Sequence, residues 1–126
     1  MSNEECGMKE NIVFEKSMAF AIRIVKLHKY LMDEKREYIM SKQLLRCGTS
    51  IGANLAEADC AVSKPDFLNK SQIAFKECNE TRYWLKLLLK TEYVSQTQYD
   101  SIIADADELF RLLSSITKTT KDSISK

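Results

Sequence analysis

The chain has 126 residues, 44% of them hydrophobic and 29% charged, with a formal net charge of only +1. That length suits one domain around one core, and the charge balance removes any global reason to expect nucleic acid or an anionic membrane as ligand, so such binding would need a local patch. The start, Met1 to Glu5, is acidic where a secretory leader is basic, and no apolar run nears the roughly 20 residues of a membrane span, so the expectation is a soluble cytoplasmic protein with no membrane partner.

One proline, three glycines and no sustained alternation of apolar and polar residues indicate an all-α fold. The first helix is expected over about 12–32, followed by the charged segment Asp33 to Glu37. One stripe of it carries Phe14, Met18, Ala21, Val25 and Met32, and the adjoining stripe carries Val13, Phe20, Ile24, Leu27 and Leu31. Together they fill about half the circumference, wider than the stripe a single core needs. The second helix, about 38–62, points Met40, Leu44, Cys47, Ile51, Leu55, Ala58 and Val62 inward.

Ser63-Lys-Pro-Asp66 supplies a capping serine, a proline in the first turn and an acid at the third position, so a third helix should start there and run over about 64–91. It offers Phe67, Ala74, Cys78, Leu85 and Leu88 to the core and gathers Ile73, Trp84 and Leu87 on a flank with Glu77 and Glu80. Ser95 to Gln98 repeats the capping logic for a fourth helix, about 96–117, whose core side is Tyr99, Ile102, Ala106, Leu109, Phe110, Leu113 and Ile116. The expected architecture is one domain, 1–126, an antiparallel up-and-down four-helix bundle with flexible ends at 1–10 and 118–126. The surplus apolar flanks of helices one and three predict a subunit interface.

Gly48, Gly52 and Ala56 recur every four residues in the second helix. Glycine inside a helix costs about 1 kcal/mol relative to alanine, so this ridge is expected to seat another helix at short distance. Beside it Gln43, Arg46, Ser50, Asn54 and Glu57 share one side. That strip could bind a ligand, or Arg46 and Glu57 could bond Glu77, Glu80 or Arg82 of a neighbouring helix or subunit.

The third helix carries Gln72, Lys76, Asn79, Tyr83, Lys86 and Lys90 along its outer side, and the first carries Arg23, Lys26 and Tyr30. Cations interleaved with aromatics can track a phosphate backbone and stack on bases, although a merely solvated face has the same composition. Arg23, Lys26, Lys76, Lys86 and Lys90 are therefore the candidate contacts to RNA or DNA. A protein partner is the alternative.

Catalytic readings lack their residues. The only histidine, His28, has Val25 three positions earlier and so forms no Glu-x-x-His pair. It sits on an apolar stripe, where a hydrogen-bonded core or interface role is expected. Cys6, Cys47, Cys60 and Cys78 contain no Cys-x-x-Cys pair, and the expected reading is buried free thiols. Neither a glycine-rich dinucleotide turn nor a P-loop is present, so no enzyme activity and no cofactor or metal is expected.

Gln43 to Arg46, Thr49 to Asn54, Ala56-Glu57 and Glu80-Thr-Arg-Tyr-Trp-Leu85, with Lys16-Ser17 and Phe20-Ala21 before them, carry a family resemblance. Over about 11–116 the chain resembles the four-helix bundle proteins encoded by intervening sequences in bacterial 23S ribosomal RNA genes. It departs from the family at Arg46-Cys47, where Arg-Ser is usual, and at Glu57-Ala58, where Glu-Gly is usual. The resemblance implies a ring, a homopentamer, with no established enzymatic activity. The fold is also similar to the pentameric accessory proteins of diversity-generating retroelements, which associate with a reverse transcriptase and nucleic acid, and this implies RNA or DNA as a candidate partner.

Overall fold

The computed structural model describes residues 3–125, with side-chain surroundings from Ile12 onward. Four helices follow in order: α1 (Asn3–Asp33), α2 (Met40–Asp59), α3 (Lys64–Lys90) and α4 (Gln96–Ser125). They form the expected antiparallel bundle. Three short links produce it, each stopping one helix and capping the next.

In the first link Arg36 takes a left-handed φ of 54°, and the Glu37 side chain then accepts from the backbone N–H groups of Ile39, Met40 and Ser41 at 3.1, 3.2 and 2.7 Å. The Ser41 hydroxyl returns a bond to the Glu37 carbonyl at 2.7 Å. A buried carboxylate thus satisfies the orphan donors of α2 and meets the positive end of its dipole. In the second link Ser63 Oγ accepts from Asp66 N at 3.1 Å, with Pro65 in the first turn. The third is a reciprocal box: Ser95 Oγ accepts from Gln98 N at 3.1 Å, and Gln98 Oε1 accepts from Ser95 N at 2.8 Å.

Helix limits differ from the sequence expectation at four ends. α1 begins at Asn3 rather than near residue 12, and α4 continues to Ser125 rather than ending near 117. Nothing in 118–125 breaks a helix, and Thr117 and Thr120 turn their hydroxyls back onto the Ser114 and Ile116 carbonyls. α2 is shorter, starting at Met40 after the Glu37 cap and closing at Asp59 with tight bonds from Cys60 N to Glu57 O and Ala61 N to Ala58 O. Val62 therefore does not face the core and is 92% exposed.

The core is one cluster. Val13, Phe20, Ile24 and Leu31 of α1 meet Leu44 and Ile51 of α2, Ala74, Cys78, Leu85 and Leu88 of α3, and Ile102, Ala106, Leu109 and Leu113 of α4. Helices adjacent in sequence pack closely, whereas α1 and α4 meet over a smaller area and leave a groove between them.

Candidate functional site

The glycine ridge of α2 faces α1. A Cβ built on Gly48 would lie 2.8 Å from Cγ2 and 2.9 Å from Cγ1 of Ile24, and one on Gly52 would lie 3.1 Å from Ser17 Oγ. The first is a close approach that only a missing side chain permits, and the second is tight but relieved by a small shift. Ala56, expected as the third member, is exposed. It borders a pocket of about 250 Å³ at the end of the bundle, among Val13, Phe14, Leu55 and Phe67.

The polar strip of α2 reaches α3. Arg46 places one guanidinium nitrogen 3.2 Å from Glu77 Oε2 and the other on Glu80 Oε2, and its Nε bonds Gln43 Oε1 at 3.3 Å. Glu80 also accepts from the Trp84 indole N–H at 2.9 Å. Asn54 and Ser50 instead bond backbone carbonyls of their own helix, those of Ser50 and Arg46. Glu57 departs from expectation, pairing with Lys70 at 3.1 Å, and Arg82 pairs with Asp107 of α4 at 2.9 Å while its guanidinium covers the Phe110 ring. Length explains the exchange: Glu57 lies three turns beyond Arg46, opposite the first turns of α3.

The expected cations divide. Arg23 is not a free outward cation, because it bonds Asp105 Oδ2 at 2.6 Å, the Ser101 carbonyl at 3.1 Å and the Ser101 hydroxyl at 2.7 Å, joining α1 to α4. The spacing along α1 alone could not show that a carboxylate from α4 would meet it. Lys26 is exposed and borders the α1–α4 groove, about 540 Å³, together with Tyr30, Leu85, Thr97 and Gln98. Lys76, Lys86 and Lys90 are exposed on α3, and among the described residues none of the three pairs with a carboxylate. Lys86 Nζ stands 5.4 Å from the centroid of the Tyr99 ring.

Apolar side chains reach the surface on two flanks. Met18 is 49% exposed and Ile22 50%, beside half-buried Phe14, Ala21 and Val25 on the same side of α1. On α3, Ile73, Trp84 and Leu87 are half-buried and Tyr83 is 58% exposed. His28 Nδ1 lies 3.1 Å from the Ser41 carbonyl, a contact that ties α1 to the start of α2.

The thiols separate by burial. Burial pushes Cys47 up to about 11 and Cys78 up to about 12, and their Sγ atoms lie on the Leu44 and Ala106 carbonyls at 3.6 and 3.4 Å. Such thiols are poor nucleophiles at neutral pH. Cys60, expected to be buried, is exposed: it follows the last residue of α2 and lies about 180° around the helix from buried Ile51. Cys6 lies outside the residues whose side chains are described. Among the described residues no group of three or more His, Cys, Asp or Glu could hold a metal ion, and no helix is long and apolar enough to cross a membrane.

Sequence reasoning missed Glu37 and Asp105. Glu37 stands four residues before Ser41 at a helix start, a readable signal for a cap, whereas Asp105 becomes legible only once α1 and α4 are neighbours.

No curated protein matches the chain. A crystal structure of a protein of unknown function from the S23 ribosomal protein family of Bacteroides thetaiotaomicron VPI-5482 is similar, with 56% identity and a TM-score of 0.86 over 87% of this chain and 98% of that one. The sequence pattern of the family described as 23S rRNA-intervening sequence protein matches residues 9–115, which places Gly48, Arg46 with its two carboxylates, and the basic side of α3 all within the shared bundle. The chain belongs to the 23S rRNA-intervening sequence protein family.

Proposed function

We propose that the protein is a non-catalytic, self-assembling bundle, a homopentameric ring that acts as a scaffold in the cytoplasm. The observation that carries this reading is the apolar flank of α1, where Met18 and Ile22 are about half exposed beside Phe14, Ala21 and Val25. A second flank, Ile73, Trp84 and Leu87 on α3, is a different surface. Two unlike patches that meet make a head-to-tail contact, which forms a ring where the rotation between neighbours closes. The family resemblance supports five as the number. Light scattering at micromolar concentration tests the reading: a mass about five times 14.5 kDa supports the ring, and a mass of 14.5 kDa refutes it.

A second reading, association with RNA or DNA, is favoured by Lys76, Lys86 and Lys90, which line one exposed side of α3 without carboxylate partners. Phosphate contacts made by those lysines would make affinity fall steeply with salt. A titration with structured RNA across a salt series checks it, and salt-independent or absent binding rejects it.

A further inference from the structure

Lys76, Tyr83 and Lys90 are spaced seven residues apart on α3, so they fall within about 40° on the helix surface and span about 21 Å along it. Gln72, Asn79 and Lys86 complete that side, which holds no Asp or Glu of α3. Tyr83 stands at its middle, 58% exposed, an amphipathic ring that the bundle leaves without a cover.

The ring is also held in place. Its centroid lies 5.1 Å from that of Trp84, edge-on at 77°. The Trp84 indole N–H is fixed on Glu80 at 2.9 Å, and Glu80 is in turn bonded by Arg46 of α2. Glu80 is therefore engaged by a guanidinium that it shares with Glu77, and the same chain of contacts supports the aromatic pair from behind. A buttressed, exposed aromatic flanked on both sides by unpaired cations has the composition of a stacking platform for unpaired bases. A duplex hides its base faces and could use the lysines only.

We infer that this side of α3 binds single-stranded nucleic acid, with Tyr83 stacking on a base and Lys76, Lys86 and Lys90 contacting the flanking phosphates. The inference rests on the nucleic-acid reading above and names its ligand and its platform. The stripe accommodates a short run, on the order of four nucleotides, the low end of known site sizes.

Fluorescence anisotropy with labelled oligo(U), oligo(dT) and a duplex of equal length, at several salt concentrations, tests it. The expected result is that Tyr83→Ala weakens binding of both single strands about tenfold or more and leaves duplex binding unchanged, while Tyr83→Phe retains native affinity. Lys86→Glu with Lys90→Glu should weaken every ligand and flatten the salt dependence. If the lysine variant loses binding while Tyr83→Ala binds the single strands like the native protein, the stacking inference is overturned and the basic strip remains. If the native protein binds no oligonucleotide at low salt, both are overturned. Unchanged melting temperature and mass in each variant exclude a folding defect as the cause.

Discussion

Replacing Gly48 with alanine sets two known effects against each other at one position. Alanine favours a helix over glycine by about 1 kcal/mol, so on an open face the substitution would stabilise. Here the new methyl would stand 2.8 and 2.9 Å from two carbons of Ile24, where about 3.5–4.0 Å is the comfortable separation. Ile24 is fully buried and β-branched, so it cannot rotate away without displacing the core. Overpacking of this kind costs typically about 1–3 kcal/mol, which leaves a net loss of about 1 kcal/mol and lowers the melting temperature by roughly 3–6 °C. Gly52→Ala is the internal control. Its methyl would meet only Ser17 Oγ, at 3.1 Å, so the gain in propensity and the strain nearly cancel. Gly52→Leu, which must fill the same space with three more carbons, should lose about 1–3 kcal/mol. Thermal and urea melts at fixed protein concentration measure all three. Stabilisation by Gly48→Ala would refute the close approach of α1 and α2.

Ser63→Ala removes the acceptor of the Asp66 N–H and should cost about 1 kcal/mol in urea melts. Arg46→Ala frees Glu77 and Glu80, and because Arg46 and Glu80 are 48% and 37% exposed and Glu77 keeps partial access to water, the loss should stay at about 1 kcal/mol or below, read from the same melts. Cys47 and Cys78 keep their protons to about 11 and about 12 in the folded chain but ionise near 9.0 when it unfolds, so their contribution to stability is complete below about pH 9 and is lost as pH rises towards 11 and 12. Urea melts from pH 8 to 10.5 should therefore show falling stability, and thiol labelling at pH 8 with peptide mapping should modify Cys60 well before Cys47 or Cys78.

The bundle was legible because its signals are local. Ser63-Lys-Pro-Asp66 and Ser95 to Gln98 carry their caps in consecutive residues, and the core stripes follow the helical period. The ends of α2 were less so. Its start depends on a glutamate folded back from outside the helix, and its last turn is cut short before Ser63, although the apolar pattern runs on to Val62. Partners between helices were legible where one choice was near, as for Arg46 with Glu77 and Glu80, and hidden where the neighbour came from the far end of the sequence. Arg23 belongs to the second kind, because a wheel gives the direction of a side chain but not the Asp105 that waits 82 residues later. Cys60 was legible in the sequence and still missed, since the helical period puts it about 180° from buried Ile51, on the solvent side.

Self-assembly through the apolar side of α1 is tested most directly by the mass of the variant Met18→Asp with Ile22→Asp, measured by light scattering beside the native chain. Both side chains are about half exposed, so the bundle should fold and keep its helical signal. Two buried charges at a subunit contact would cost far more than the interface can return. The account predicts a native mass several times 14.5 kDa and a variant that falls to 14.5 kDa while remaining helical. A variant with the native oligomeric mass would contradict it.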